Sequence, residues 1–141
     1  IGYPSETYRD FGETIKLMRE VKFINSYSFI YSARPGTPAY DLKRIDPKKA
    51  KERLIEFQDL AEKTKKQYRE NLINKTAKVL FENKINNEQK YFGRDEFFNS
   101  VIVESNDNLT GKIKNVKILK GNQNTLYGEI ITNSNQNSYA A

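Results

Sequence analysis

The chain has 141 residues, 37% of them hydrophobic and 30% charged, and carries a net charge of +6. That content suits a folded protein with a modest core, and the charge favours an anionic partner such as RNA, DNA or an anionic membrane surface. Cysteine and histidine are both absent, which removes disulfides, thiol nucleophiles, thiolate iron or zinc sites and the usual near-neutral base.

No apolar run approaches the roughly 18 residues of a membrane span, and no basic segment followed by an apolar core opens the chain, so a cytoplasmic protein without a membrane partner is expected. The opening Ile1-Gly2-Tyr3-Pro4 reads as the end of an apolar strand with no start methionine, as in a piece cut from a longer chain. Thr7 and Asp10 have the spacing of a capping box, Phe11, Ile15 and Met18 recur at helical spacing, and Val21 and Phe23 mark the helix exit. Next, Tyr27, Phe29 and Tyr31 alternate with Ser26, Ser28 and Ile30, a period of two that predicts a strand. Arg34-Pro35-Gly36-Thr37-Pro38 is loop chemistry, with two prolines fixing the backbone around a glycine.

Strand end, helix, strand, loop, helix is the order of βα units that carry a parallel sheet. In such sheets ligands lie beyond the carboxyl ends of the strands, where residues 3–6 and 32–38 both fall. Two ordinary strand-to-helix turns account for the pattern equally well. Asp46 before Pro47 then marks a helix start, with Ala50, Leu54, Phe57, Ala61, Thr64 and Tyr68 on one stripe over some six turns. Lys48, Lys49, Lys51, Lys63, Lys65 and Lys66 are interspersed with Glu52, Glu56, Asp59 and Glu62, the mixture of a solvated face rather than of a nucleic-acid site.

After Leu72 the pattern changes to short alternating runs at 77–82, 91–94, 101–103, 113–119 and 126–131, bounded by Asn, Asp, Glu and Gly. Five such strands predict a small antiparallel barrel. Ile113 is out of step with Val116 and Ile118, which predicts a bulge near Lys114-Asn115. Lys112, Lys114, Lys117 and Lys120 lie together without an intervening acid. Lys112 and Lys114 on one face, with Tyr91, Phe92, Arg94 and Tyr127 near them, would offer cations for phosphates beside aromatic faces for unstacked bases, a single-stranded RNA surface. The alternative assigns the aromatic residues to the core and the lysines to solvent. Residues 133–141 read as a polar, frayed tail.

Three segments, Gly2-Tyr3-Pro4-Ser5-Glu6-Thr7, the run from Tyr27 through Arg34-Pro35-Gly36-Thr37-Pro38-Ala39, and Lys51-Glu52-Arg53-Leu54, resemble the last third of the radical S-adenosylmethionine methylthiotransferases. The remainder resembles their TRAM domain, an RNA-binding β-barrel, at Gly93-Arg94, Val101 to Val103, Leu109-Thr110-Gly111 and Asn124-Thr125-Leu126-Tyr127-Gly128-Glu129. Ser5 stands where the family often has glycine. The branch that modifies a ribosomal protein usually carries an acidic, proline-containing segment shortly after the Gly-Arg pair; Asp95-Glu96-Phe97-Phe98-Asn99-Ser100 instead resembles the tRNA-acting, MiaB-type branch.

The resemblance implies an α/β plus all-β fold. Residues 1–72 would be the C-terminal βα units of a partial radical SAM (TIM-like) barrel with a long connecting helix, 73–132 a small antiparallel TRAM (OB-like) barrel, and 133–141 the tail. It implies an enzyme that adds a methylthio group at C2 of N6-isopentenyladenosine beside the anticodon, using S-adenosylmethionine and two 4Fe-4S clusters whose cysteines are not in this sequence. The chain alone is then expected to be inactive, monomeric, and partnered by the tRNA anticodon stem-loop and the N-terminal domains of the same polypeptide, with exposed apolar sheet edges and a tendency to aggregate. Gly2, Pro4, Glu6, Tyr31 and Arg34 would lie near the cofactor or the substrate base. Arg94, Lys112, Lys114 and Lys117 would contact RNA backbone, with Tyr91 or Tyr127 stacking on bases. The rival readings are a ribosomal-protein methylthiotransferase of the same family and a stand-alone RNA-binding module.

Overall fold

The computed structural model describes residues 1–86 and 88–131; the tail expected at 133–141 lies outside the described residues. The chain divides into two compact units, Ile1–Gln67 and Tyr68–Ala141. This division falls five residues before the boundary read from the sequence, because Tyr68 and Arg69 already bond to the second unit. The Tyr68 hydroxyl accepts from Asn99 Nδ2 at 3.1 Å, and Arg69 Nη1 reaches the Asn122 carbonyl at 3.5 Å.

In the first unit, α1 (Tyr8–Val21) starts at the expected capping box. Thr7 accepts from the Asp10 amide, and the Asp10 carboxylate accepts from the Thr7 amide at 2.8 Å. Phe11, Ile15 and Met18 form its buried face, and Lys22 ends it in the left-handed conformation (φ 55°). α2 (Pro47–Glu70) is held at its start by Asp46, whose Oδ1 accepts from the Lys48 amide at 3.1 Å. Ala50 is the one fully buried position of α2 among those described, while Leu54, Phe57, Leu60 and Ala61 are half-buried.

The strand predicted over residues 27–31 is not formed. A strand requires a ladder, and among the described residues the only backbone partner it finds is Ile1. Ile1 donates to the Phe29 carbonyl at 3.1 Å and accepts from the Tyr31 amide at 2.8 Å. This pair of bonds flanks Ile30 in the manner of a parallel bridge. Tyr27, Phe29 and Ile30 are left exposed.

The second unit is a closed barrel of β1 (Thr76–Lys84), β2 (Lys90–Asp95), β3 (Ser100–Glu104), β4 (Ile113–Gly121) and β5 (Leu126–Ile130), in the order β1-β2-β3-β5-β4. Four pairings are antiparallel; β3 and β5 run parallel, because the chain leaves the sheet after β3, adds β4 beside β1 and returns as β5 between β3 and β4. Alternation delivers Val79, Phe81, Tyr91, Val101, Val103, Val116, Ile118 and Leu126 to the interior, and Leu109 from the β3–β4 connection plugs it.

The bulge predicted near Lys114-Asn115 is absent. The β1–β4 register runs unbroken from Leu80↔Ile113 to Thr76↔Lys117. Ile113 is 60% exposed, so it is out of step with Val116 because it belongs to the outer face. The shifts fall instead between Phe81 and Asn83 and between Ile118 and Lys120.

Candidate nucleic-acid interface

In the first unit, the residues singled out around the strand ends separate into two groups. Gly2 and Pro4 are buried, and Glu6 is committed internally. Its Oε1 meets Arg53 Nη1 at 2.7 Å and its Oε2 accepts from the Gly2 amide at 3.0 Å. Arg53 Nη1 also donates to the Glu6 carbonyl at 2.9 Å, and its guanidinium lies 5.7 Å from the Phe11 ring centroid. These three residues shape the loop and offer no free functional group to a ligand. Ser5 takes φ 73°, the conformation glycine adopts freely, which gives a structural meaning to the glycine usual at that position.

Tyr31 and Arg34 stand differently. They line an open cavity of about 480 Å³ together with Tyr3, Ser32, Thr37, Pro38 and Ala39. Tyr3 and Tyr31 meet edge to face, with ring centroids 5.1 Å apart. Arg34-Pro35-Gly36-Thr37 is a turn closed by the Thr37 amide and hydroxyl, which donate to the Arg34 carbonyl at 3.3 and 2.8 Å, with Gly36 at φ 81°. Proline at the second position and a positive φ at the third are the requirements of a type II turn. The Arg34 side chain is exposed, with no ion pair to a described residue. The cavity therefore combines two aromatic edges with one available guanidinium.

On the barrel, the residues expected to bind RNA do not form one face. Tyr91 is 4% exposed and part of the core, so it cannot stack on a base. Its neighbour Phe92 occupies the outer face instead. Lys117 has the outer parity and lies opposite Thr76 on one side and Glu129 on the other. Lys112 precedes β4, and Lys114 has the inner parity but is exposed, at the first residues of β4 before its pairing with β5 begins at Val116. None of the three makes an ion pair with a described residue.

What the register brings together is a row across the outside of four strands. Phe92 lies opposite Ile102, Ile102 opposite Tyr127, and Tyr127 opposite Lys120. The shift after Ile118 is what places Lys120 on this face, its Nζ 5.4 Å from the Tyr127 ring centroid. At the other end the Arg94 guanidinium lies 5.3 Å from the Phe92 ring and 5.8 Å from the Phe98 ring, with Nε 3.3 Å from Glu82. The sequence brought Phe92, Arg94 and Tyr127 together as candidate faces and cations, but it put Tyr91 rather than Phe92 forward as the stacking ring and did not show that Lys120 joins the row. The two-residue parity with Arg94 was the available signal for Phe92.

A row with cations at both ends and half-buried aromatic rings between them has the chemistry for phosphates and base faces. Its charge is tempered. Lys90 is paired with Glu88 at 2.7 Å, and this acceptor holds its ammonium above the ordinary lysine value. Among the described residues no cluster of acidic side chains suits a metal ion, and no helix is long and apolar enough to cross a membrane.

The strand order and the single parallel pair define the second unit as an OB-like barrel, a class that binds oligonucleotides or oligosaccharides on its outer face. No protein-family model matches the chain. Among curated proteins it is 44% identical over 134 residues, 95% of its length, to the tRNA-2-methylthio-N(6)-dimethylallyladenosine synthase of Pelagibacter ubique. It is 41% identical over 131 residues to the synthase of the same name from Wolbachia pipientis subsp. Culex pipiens, and 34% identical over 131 residues to that of a Ruegeria species. The chain is a homologue of these synthases over nearly its whole length and spans about 30% of theirs, matching their C-terminal part.

Proposed function

We propose that the chain is the C-terminal part of a tRNA methylthiotransferase that modifies C2 of N6-isopentenyladenosine beside the anticodon. The first unit would complete the βα barrel, and the second would be the TRAM domain that docks tRNA. The observation that carries this reading is the alignment of 134 residues at 44% identity with a relative named for that tRNA modification. The OB-like barrel and its cation-flanked aromatic row support it. No observation favours a ribosomal-protein substrate, and a stand-alone RNA-binding module would not need the first unit, whose sequence aligns along with the barrel.

The parent enzyme would use S-adenosylmethionine and two 4Fe-4S clusters. The residues present here do not fit a cluster, since the chain has no cysteine. Its part is therefore confined to binding and positioning, and it would be inert alone. In this reading Tyr3, Tyr31 and Arg34 would face the cofactor or the substrate nucleotide, with the rings beside a base and the guanidinium beside a phosphate or carboxylate.

The test is titration of the chain with an anticodon stem-loop RNA at two salt concentrations, against an unrelated hairpin and an Arg94→Ala, Lys117→Ala, Lys120→Ala variant. The expected result is preferential binding that weakens with salt, with a shallower salt dependence in the variant as phosphate contacts are lost. A folded chain that binds neither RNA would overturn docking by this barrel.

A further inference from the structure

The turn between β2 and β3 holds two adjacent phenylalanines in solvent. Phe97 is 66% and Phe98 78% exposed. Phe98 has φ 64°, a conformation unfavourable for a bulky side chain. A residue that strains the backbone while leaving most of its side chain in solvent is not explained by the stability of the fold.

Beneath the rings the turn is built rigidly. Asp95 Oδ1 accepts from the amides of Phe97 at 2.9 Å and Asn99 at 2.8 Å, and Oδ2 accepts from Asn99 Nδ2 at 2.8 Å. The Phe98 amide donates to the Asp95 carbonyl and the Asp95 amide to the Asn99 carbonyl, both at 3.1 Å. Asp95 and Asn99 are buried, so the network has little freedom to rearrange, and the backbone that carries the two rings is set before any partner arrives. The Arg94 guanidinium, within 6 Å of the Phe98 and Phe92 rings, joins this crest to the outer row of the barrel.

We propose that the Asp95–Asn99 turn is a preformed aromatic clasp for an unpaired nucleobase of the RNA held by the barrel, with Phe97 and Phe98 offering stacking faces and Arg94 a cation beside them. This rests on the RNA-docking reading and adds the part of the RNA that is gripped. The neighbours of the rings decide for a base over a protein surface. Arg94, itself paired with Glu82, lies beside the Phe98 ring, and Glu96 adjoins Phe97 in the chain, whereas the centre of a protein interface is depleted of charge. A flat base needs only the ring faces.

The experiment is titration of the chain, and of Phe97→Leu/Phe98→Leu and Phe98→Tyr variants, with an anticodon stem-loop RNA carrying 2-aminopurine in its loop. Fluorescence quenching reports stacking, and circular dichroism confirms the fold of each variant. The double leucine variant is expected to bind about tenfold more weakly, with the quench lost and the salt slope unchanged, because a stacked base and no phosphate contact has been removed. Phe98→Tyr is expected to bind and quench like the parent. Undiminished binding and quenching by the double leucine variant would overturn the clasp and leave RNA docking standing. Failure of the folded parent to bind would overturn both.

Discussion

Asn99 closes on Asp95 twice, through its backbone amide and its side-chain amide, each 2.8 Å from a different oxygen of the same buried carboxylate. Removing that carboxylate leaves the Phe97 and Asn99 amides without their acceptor. Asp95→Ala is therefore expected to destabilise the barrel by about 2 to 4 kcal/mol, read as a lowered urea midpoint. Asn99→Ala, which keeps the carboxylate and its two backbone donors, is expected to cost roughly half as much. Equal stability of the Asp95→Ala variant and the parent would show that the turn is not held as described.

The same turn shows how far the sequence could be read. Alternation located all five strands to within a few residues, because period two follows from the pleat itself. Which parity faces inward depends on closure, and there the reading failed at particular residues. The parity of Ile113 against Val116 and Ile118 suggested a bulge, yet its unbroken register opposite Leu80 places both side chains outside. Tyr91 and Phe92 are indistinguishable by composition, and only the strand's place in the barrel separates a core ring from an outer one. The Asp95-to-Asn99 network was invisible because a buried Asp in a turn reads, from sequence, as an ordinary polar turn residue. Over residues 27–31 the alternation is present in the sequence but forms no strand and leaves Tyr27 and Phe29 exposed, since hydrogen-bonded partners are a tertiary property.

Closure also fixes two glycines of the family-like motifs. A Cβ on Gly128 would stand 2.5 Å from the Lys117 carbonyl oxygen, and one on Gly93 2.5 Å from the Leu80 carbonyl oxygen. Both obstacles are backbone and cannot swing aside. Gly93→Ala and Gly128→Ala are each expected to cost about 3 kcal/mol or more, seen as loss of cooperative unfolding or a much lower midpoint. Gly12→Ala, where nothing lies within 4 Å, is the control and is expected to stabilise α1 by up to about 1 kcal/mol.

Two substitutions test the entry to α1. Ser5 is at φ 73°, so Ser5→Gly is expected to relieve strain and raise stability by about 0.5 to 1 kcal/mol. The bonds from the Thr7 side chain and backbone hold the Asp10 carboxyl below its ordinary value of 3.8. A depressed carboxyl stabilises the fold above its unfolded value, and that contribution disappears as pH falls through the lower folded value. The capping box should accordingly be intact from neutral pH down to about 4 and open only in stronger acid. Amide chemical shifts of Thr7 and Asp10 followed by NMR provide the readout, and an inflection at or above 3.8 would contradict the cap.

The two tyrosines first considered for base stacking separate fold from binding in one comparison. Tyr91 packs among Phe81, Val101, Val103 and the other core residues, so Tyr91→Ala should cost about 3 kcal/mol through the cavity it leaves. Any RNA affinity it loses would then return under conditions that restore the folded population. Tyr127 shares the outer face with Ile102 and Lys120, so Tyr127→Ala should cost about 1 kcal/mol or less in stability while weakening binding of a stem-loop RNA roughly tenfold. Tyr127→Phe keeps the ring and should bind as the parent does, because stacking uses the face and not the hydroxyl. If Tyr127→Ala bound RNA as tightly as Tyr127→Phe, the row from Phe92 to Lys120 would be only the packed outer skin of the barrel, and the docking surface would have to be sought among the exposed lysines that precede and begin β4.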